Sequence, residues 1–136
     1  MPTDAQIRET FTKIIEELPD KYKLPILERY KREDLIVITD ENKFPNTRVG
    51  LIGKAGTISG KFYFRLSKLT DAELNKAVLH ELLHLYIEVR DNLQWIDFQD
   101  AELLGSEHQM RARALRTRVE REVLVLTEVL ENQLQL

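Results

Sequence analysis

The chain has 136 residues, of which 43% are hydrophobic, with five glycines and four prolines. This predicts one compact domain spanning residues 1–136. The net charge of −3 gives no general attraction to nucleic acid or membranes, and the absence of cysteine excludes disulfides, thiolate zinc sites and cysteine nucleophiles. With no secretory signal pattern and no apolar run long enough to span a membrane, we expect a soluble, cytoplasmic protein.

The N-terminal third predicts one helix and one strand. Residues from about Thr3 to Leu18 place apolar side chains at helical spacing, with Thr3 or Asp4 as the N-cap. The β-branched run 35–38 is typical of a short buried strand, and a turn is expected at 40–46.

The next segment is rich in glycine, at positions 50, 53, 56 and 60. It lacks the spacing of a phosphate-binding loop, so a flexible hairpin or a bulged pair of strands is the favoured interpretation. Residues 61–66 then alternate polar and apolar side chains, which predicts a half-buried strand at a sheet edge, where main-chain groups could pair with an extended substrate.

A second helix is predicted from about Asp71 to Arg90, because Thr70 and Glu73 match a capping box. It contains an HExxH motif, His80-Glu81-Leu82-Leu83-His84, within an apolar run. On a helix both histidines lie on one face and can bind one zinc ion, while Glu81 can reach a water molecule on that metal. The motif therefore predicts the zinc site of a metallopeptidase, with Glu81 as general base.

A third protein ligand is needed, since catalytic zinc sites use three and leave one position for water. The candidates are Glu102, Glu107 and His108, in or before a long last helix predicted over about 101–132. His108 lies at the centre of the apolar stripe of that helix, whereas Glu102 points nearly opposite. Because Ser106 could cap a helix starting at Glu107, a break there would turn Glu107 inward. His108 is favoured, and Glu107 stays open as the alternative.

The segment Ala77–Tyr86 resembles the extended signature of the zincin metallopeptidases. The resemblance implies an α+β, zincin-like fold: an N-terminal helix, a small, mainly antiparallel sheet, an HExxH active-site helix and a long C-terminal helix. The lead-in 69–73 is similar to compact SprT-like and phage-type metallopeptidases, whose third histidine would fall on His108. Minimal gluzincins, which use a downstream glutamate, are the rival resemblance and match Glu107. The HxxGxxH continuation of the metzincins is absent.

The sequence thus predicts a Zn²⁺-dependent peptidase that hydrolyses peptide bonds in protein or peptide substrates, of a specificity that the residues do not reveal. The alternative is a binding module, because residues 111–121 carry five arginines that could contact nucleic acid. Glu120 and Glu122 interrupt these arginines, so a solvated helix face is favoured. A third hypothesis is a metal-stabilised interaction protein, since the apolar end of the chain from Val119 could self-associate or cover the active site and inhibit it.

Overall fold

The computed structural model describes residues 2–38, 54–58, 60–98 and 104–136 and shows an α+β fold. The predicted turn at 40–46, the first part of the glycine-rich segment and Glu102 lie outside these residues. None of the described helices is long and apolar enough to cross a membrane. The helices of the described ranges are α1 (Asp4–Glu17), α2 (Asp20–Arg29), α3 (Leu74–Arg90) and α4 (Ser106–Leu134), and the strands are β1 (Leu35–Ile38), β2 (Ala55–Ile58) and β3 (Lys61–Arg65).

Helix α1 begins and ends close to the predicted residues. Thr3 caps it through its hydroxyl, which accepts a hydrogen bond from the Gln6 amide at 3.1 Å, and the Gln6 side chain accepts one from the Thr3 amide at 2.8 Å. This reciprocal pair satisfies two amides that the first turn of the helix leaves without partners. The apolar stripe of α1 is buried as expected, comprising Ile7, Phe11, Ile14 and Ile15.

The sheet is mixed, with strand order β1-β3-β2. Strand β3 runs parallel to β1, pairing Leu35 with Phe62, and antiparallel to β2, pairing Ile58 with Lys61. Two predictions are therefore corrected: the described sheet is not mainly antiparallel, and the strand at 61–66 is central and not at an edge. In this central strand, the side chains of Phe62 and Phe64 are completely buried.

The hydrophobic core lies between the sheet and the helices α1 and α3. The ring of Phe11 on α1 packs against Phe62 and Phe64 of β3, with ring centroids 5.2 Å apart in both pairs. Ile26 of α2 is fully buried, and α2 packs on α3. As a result α3 is enclosed by the sheet and by other helices along most of its length.

Both ends of α3 form as the sequence predicts. Thr70 and Glu73 make the expected capping box around a tight 3₁₀ turn at Asp71–Glu73, which leads directly into α3. Lys54, just before β2, also pairs with Glu73 at 2.6 Å and ties the start of this helix to the sheet. The helix ends at Arg90, and Asn92, two residues later, adopts a left-handed conformation with φ of 52°.

Helix α4 is the longest described element, with 29 residues. Its N-cap is Gly105, at φ 84°, so Ser106 is the first helical residue and not the cap that the sequence suggested. The buried face largely follows the predicted apolar stripe and comprises Ala112, Val119, Val123, Thr127 and Leu130.

Candidate metal centre

Two histidine rings of α3 face the same side of the helix. His80 and His84 are separated by one turn, and their ring centroids lie 4.9 Å apart at an interplanar angle of 65°. Each side chain is 20% exposed, which leaves the Nε2 atoms accessible although the backbone of α3 is enclosed. This is the arrangement that the HExxH spacing predicts.

A carboxylate from α4 completes the group. Glu120 Oε1 lies 3.0 Å from His80 Nε2, and Glu120 Oε2 lies 2.9 Å from His84 Nε2. Candidate ligand atoms of the three residues lie within 4.8 Å of one another. Among the described residues this is the cluster of histidine and carboxylate groups that could hold a metal ion.

The donor set fits zinc in chemistry and in size. Two imidazoles and one carboxylate are a common protein ligand set for catalytic zinc, with bonds of about 2.0–2.2 Å. Ligand atoms at that distance in a tetrahedral site lie about 3.3 Å apart. The observed separations of 3.0 and 2.9 Å between Glu120 and the histidines are slightly shorter. At these two edges of the group, a few tenths of an ångström of side-chain movement would give the spacing of a tetrahedral site.

The expected third ligands, His108 and Glu107, are not in this group. Both lie in the first turn of α4, and His108 is twelve residues before Glu120. At 1.5 Å per residue this places His108 about 18 Å along the helix axis from Glu120, beyond the reach of any side chain. The structure therefore does not bring His108 or Glu107 to the two histidines, because α4 crosses the histidines near its middle and not at its start.

Glu120 was overlooked because charged residues surround it. Arg118, Arg121 and Glu122 make this part of α4 read as a solvated face. One signal did point to it: Glu120 directly follows the buried Val119, so its Cβ lies at the border of the apolar stripe that packs on α3. A carboxylate at the border of a packed stripe can reach a neighbouring helix while part of it stays in water.

The remaining motif residue, Glu81, points toward β2. Its side chain is buried, and the Thr57 hydroxyl donates a hydrogen bond to Glu81 Oε2 at 2.5 Å. Burial raises the pKa of Glu81 above its ordinary value, although His84, the Thr57 hydrogen bond and His80 act in the opposite direction. Glu81 is thus a buried carboxyl held in one orientation beside the two histidines.

The charges of the group favour an ion pair between the helices. Burial alone would lower the pKa of His84, but the hydrogen bond to Glu120 and the nearby Glu81 outweigh it, so this pKa is raised. The hydrogen bond from His84 lowers the pKa of Glu120, against the effect of burial. The carboxylate form of Glu120 is therefore stabilised, and a carboxylate is the form that binds a metal ion.

A second set of ion pairs joins the same two helices. Arg90 at the end of α3 donates to both carboxylate oxygens of Glu122, at 2.5 and 2.9 Å, and it also pairs with Asp91 at 2.8 Å. Arg118 approaches Asp91 at 3.8 Å. We call these four residues the Arg90 network. Because Glu122 is only two residues from Glu120, the network fixes α4 next to the histidines.

A cavity of about 1100 Å³ opens beside the candidate metal centre. His84, Glu120 and Thr57 contribute to its wall, so a molecule in the cavity would contact the centre. Glu88 also lines the cavity, and burial raises its pKa to about 7. The volume exceeds that of most small-molecule pockets, which are about 300–1,000 Å³. It can accommodate an extended segment of several residues.

The chain matches no protein-family model, no curated protein and no solved structure.

Proposed function

We propose that the protein is a zinc-dependent metallopeptidase in which His80, His84 and Glu120 hold the metal and Glu81 is the general base. The observation that carries this proposal is that Glu120, from a distant part of the chain, contacts both motif histidines. Glu120 thereby completes a set of three ligands, which the HExxH sequence by itself does not supply. Zinc bound there would lower the pKa of a water molecule and polarise the carbonyl of a peptide bond.

The role of Glu81 follows from its place next to His80 on α3. Its carboxylate would accept a proton from the attacking water and then deliver that proton to the leaving amine. Thr57 would position Glu81, because its hydroxyl donates to one carboxylate oxygen and leaves the other for the proton.

The ligand set bears on the family resemblance. A downstream glutamate as third ligand favours the gluzincin-like interpretation over the SprT-like one, which requires a third histidine. The glutamate we propose is Glu120 and not Glu107. A zincin-like fold remains part of the proposal, supported by a strand next to the HExxH helix and a later helix that brings the third group.

Metal analysis of purified variants tests the centre. We expect about one zinc ion per chain in the wild type after zinc is supplied, and loss of that zinc in His84→Ala and in Glu120→Ala. Glu107→Ala and His108→Ala are matched controls on α4, because they remove the alternative ligands, and both should keep the metal. Circular dichroism shows whether each variant is folded.

A folded wild type that binds no zinc would overturn the proposal, and zinc that survives Glu120→Ala would remove Glu120 from it. Activity is tested separately, by incubating the zinc-loaded wild type with an unfolded protein and identifying the cleaved bonds by mass spectrometry. Cleavage should stop when a chelator removes the metal and return when zinc is restored.

A further inference from the structure

The cavity beside the metal centre also indicates a class of substrate. We propose that Arg121 binds a carboxylate of the peptide substrate there, so that the protein prefers substrates with an acidic group near the bond that is cleaved. This inference rests on the proposed peptidase function, because it takes the cavity as the substrate site.

The position of Arg121 is the first argument. It follows Glu120 directly in α4, and its side chain lines the same cavity wall as Glu120 and His84. A group bound by Arg121 would therefore lie close to the metal centre.

The second argument is that Arg121 has no partner within the described protein. It is exposed and makes no hydrogen bond or ion pair with any of the described residues, whereas Arg90 on α3 pairs with Asp91 and Glu122, and Arg118 on α4 approaches Asp91. An unpaired guanidinium presents a planar set of donors that matches a carboxylate in bidentate geometry. Arg121 is thus a cation in the cavity wall that pairs with none of the described residues.

The other charges of the cavity agree with an anionic ligand. Arg29 and Arg116 also line it, while the acidic residues of the lining are Glu88 and Glu120. Glu120 is assigned to the metal, and Arg29 lies close enough to Glu88 to lower its pKa, which partly offsets the effect of burial. Among the described residues of the lining, the permanently charged cations are Arg29, Arg116 and Arg121.

The rest of the lining is suited to apolar side chains. Leu93, Phe98, Val119 and Leu124 contribute to it, and Leu124 is 53% exposed. Together these features fit an extended peptide that carries one acidic group and at least one apolar residue.

Matched peptides and variants test the inference. A cleavage site found in an unfolded protein supplies the parent peptide. Glu is then placed at each of the three positions on either side of the cleaved bond, with Gln in the matched peptide. A free-acid and an amide C-terminus distinguish a side-chain carboxylate from the chain terminus. We expect kcat/KM to be about 10-fold higher for the best acidic peptide than for its neutral counterpart, as for a charged hydrogen bond.

Arg121→Gln should reduce this ratio to near one, while Arg111→Gln should preserve it. Arg111 is the matched control because it is exposed on α4 and does not line the cavity. Cleavage without any preference for a carboxylate, or a preference that survives Arg121→Gln, would overturn the inference and leave the peptidase function intact.

If no peptide is cleaved, the proposed function fails, and binding then decides the inference. Fluorescence anisotropy with labelled acidic and neutral peptides measures it on the wild type and on Arg121→Gln. Tighter binding of the acidic peptide that depends on Arg121 would support the carboxylate site. Equal binding of both peptides, or none, would overturn it.

Discussion

Helices α3 and α4 contribute to the same site in different ways. Nine of the 17 residues of α3 are buried, compared with five of the 29 residues of α4. The core therefore fixes α3 on several faces, whereas α4 is held along one stripe and by the ion pairs around Arg90 and the histidines.

The difference explains which residues a sequence reveals. In α3 the proposed ligands, the proposed base and the apolar flanks lie within about ten consecutive residues, so the pattern is local. In α4 the contributing residue is one glutamate among many charged side chains, and only the crossing with α3 selects it. The functional residues of a buried helix can thus be recognised from its local sequence pattern, whereas those of an exposed helix are identified only by what they pack against.

The largest effect that would sharpen this comparison is expected at Glu81 on α3. In Glu81→Gln the shape is kept and the proton acceptor is lost, so kcat should fall by about 10²–10⁴-fold. Zinc content should stay near that of the wild type, because Glu81 is not a ligand. Measuring the metal and the peptidase rate on the same preparation separates the two roles. Activity that persists would exclude Glu81 as the base.

Valine truncations compare how firmly the core holds each helix. Val78 on α3 and Val123 on α4 are both fully buried, while Val125 on α4 is 57% exposed. Replacement by Ala should lower the free energy of unfolding by about 1.5–3 kcal/mol at each buried site. The change at Val125 should stay within about 0.5 kcal/mol. Urea denaturation measures all three, and a negligible loss at Val123 would mean that α4 is held mainly by its ion pairs.

The link between β2 and α3 is tested by Thr57. Thr57→Val keeps the size of the side chain and removes the hydrogen bond to Glu81, so kcat should fall by about 10–100-fold with little change in KM. Thr57→Ser retains the hydroxyl and should restore most of the rate. A serine variant as slow as the valine variant would indicate packing, and not positioning, as the role of Thr57.

The smallest effect is expected from the Arg90 network. Hydrogen bonds from Arg90 lower the pKa of Glu122, so Glu122 stabilises the folded state above its ordinary pKa, and this contribution is lost as the pH falls through the folded-state value. Because the pair is about one third exposed, Glu122→Gln should cost only about 0.5–1 kcal/mol at pH 7. Urea denaturation should show this difference at pH 7, and the difference should shrink as the pH falls below the ordinary pKa of glutamate and through the lower pKa of Glu122 in the folded state. Glu128→Gln, an exposed change on α4, is the control, and an equal effect there would contradict the assignment.

Much of the fold could be predicted from local signals. An N-cap at Thr3, the capping box at Thr70, the strand at 35–38 and the end of α3 at Arg90 appear where the sequence indicates them, and the predicted start at Asp71 is a 3₁₀ turn that leads into α3 at Leu74. The order of the strands could not be predicted, because alternation of polar and apolar residues describes the faces of a strand and not its neighbours. The parallel pairing of β1 with β3 is one such feature, because it depends on tertiary packing and not on the local pattern.

The same distinction applies to the candidate site, of which one part follows from the local sequence and the other from packing. The juxtaposition of His80 and His84 follows from the helical repeat alone. The choice of Glu120 over His108 depends on where two helices cross, which is decided by the packing of Val119 and Val123 on α3 and by the Arg90 network. Neither helix contains that information by itself.

The mixed sheet also has a consequence for the order of folding. Strand β2 ends at Ile58 and β3 begins at Lys61, with Gly60 at φ 77° in the short connection, so this hairpin closes a very small loop. Hairpins of this kind form in about 1–10 μs. Pairing of β1 with β3 closes a longer loop, which includes β2, and therefore has a larger closure entropy. We therefore expect the Thr57 hydroxyl to be placed early in folding and the contact of Glu120 with His80, forty positions before it, to form late.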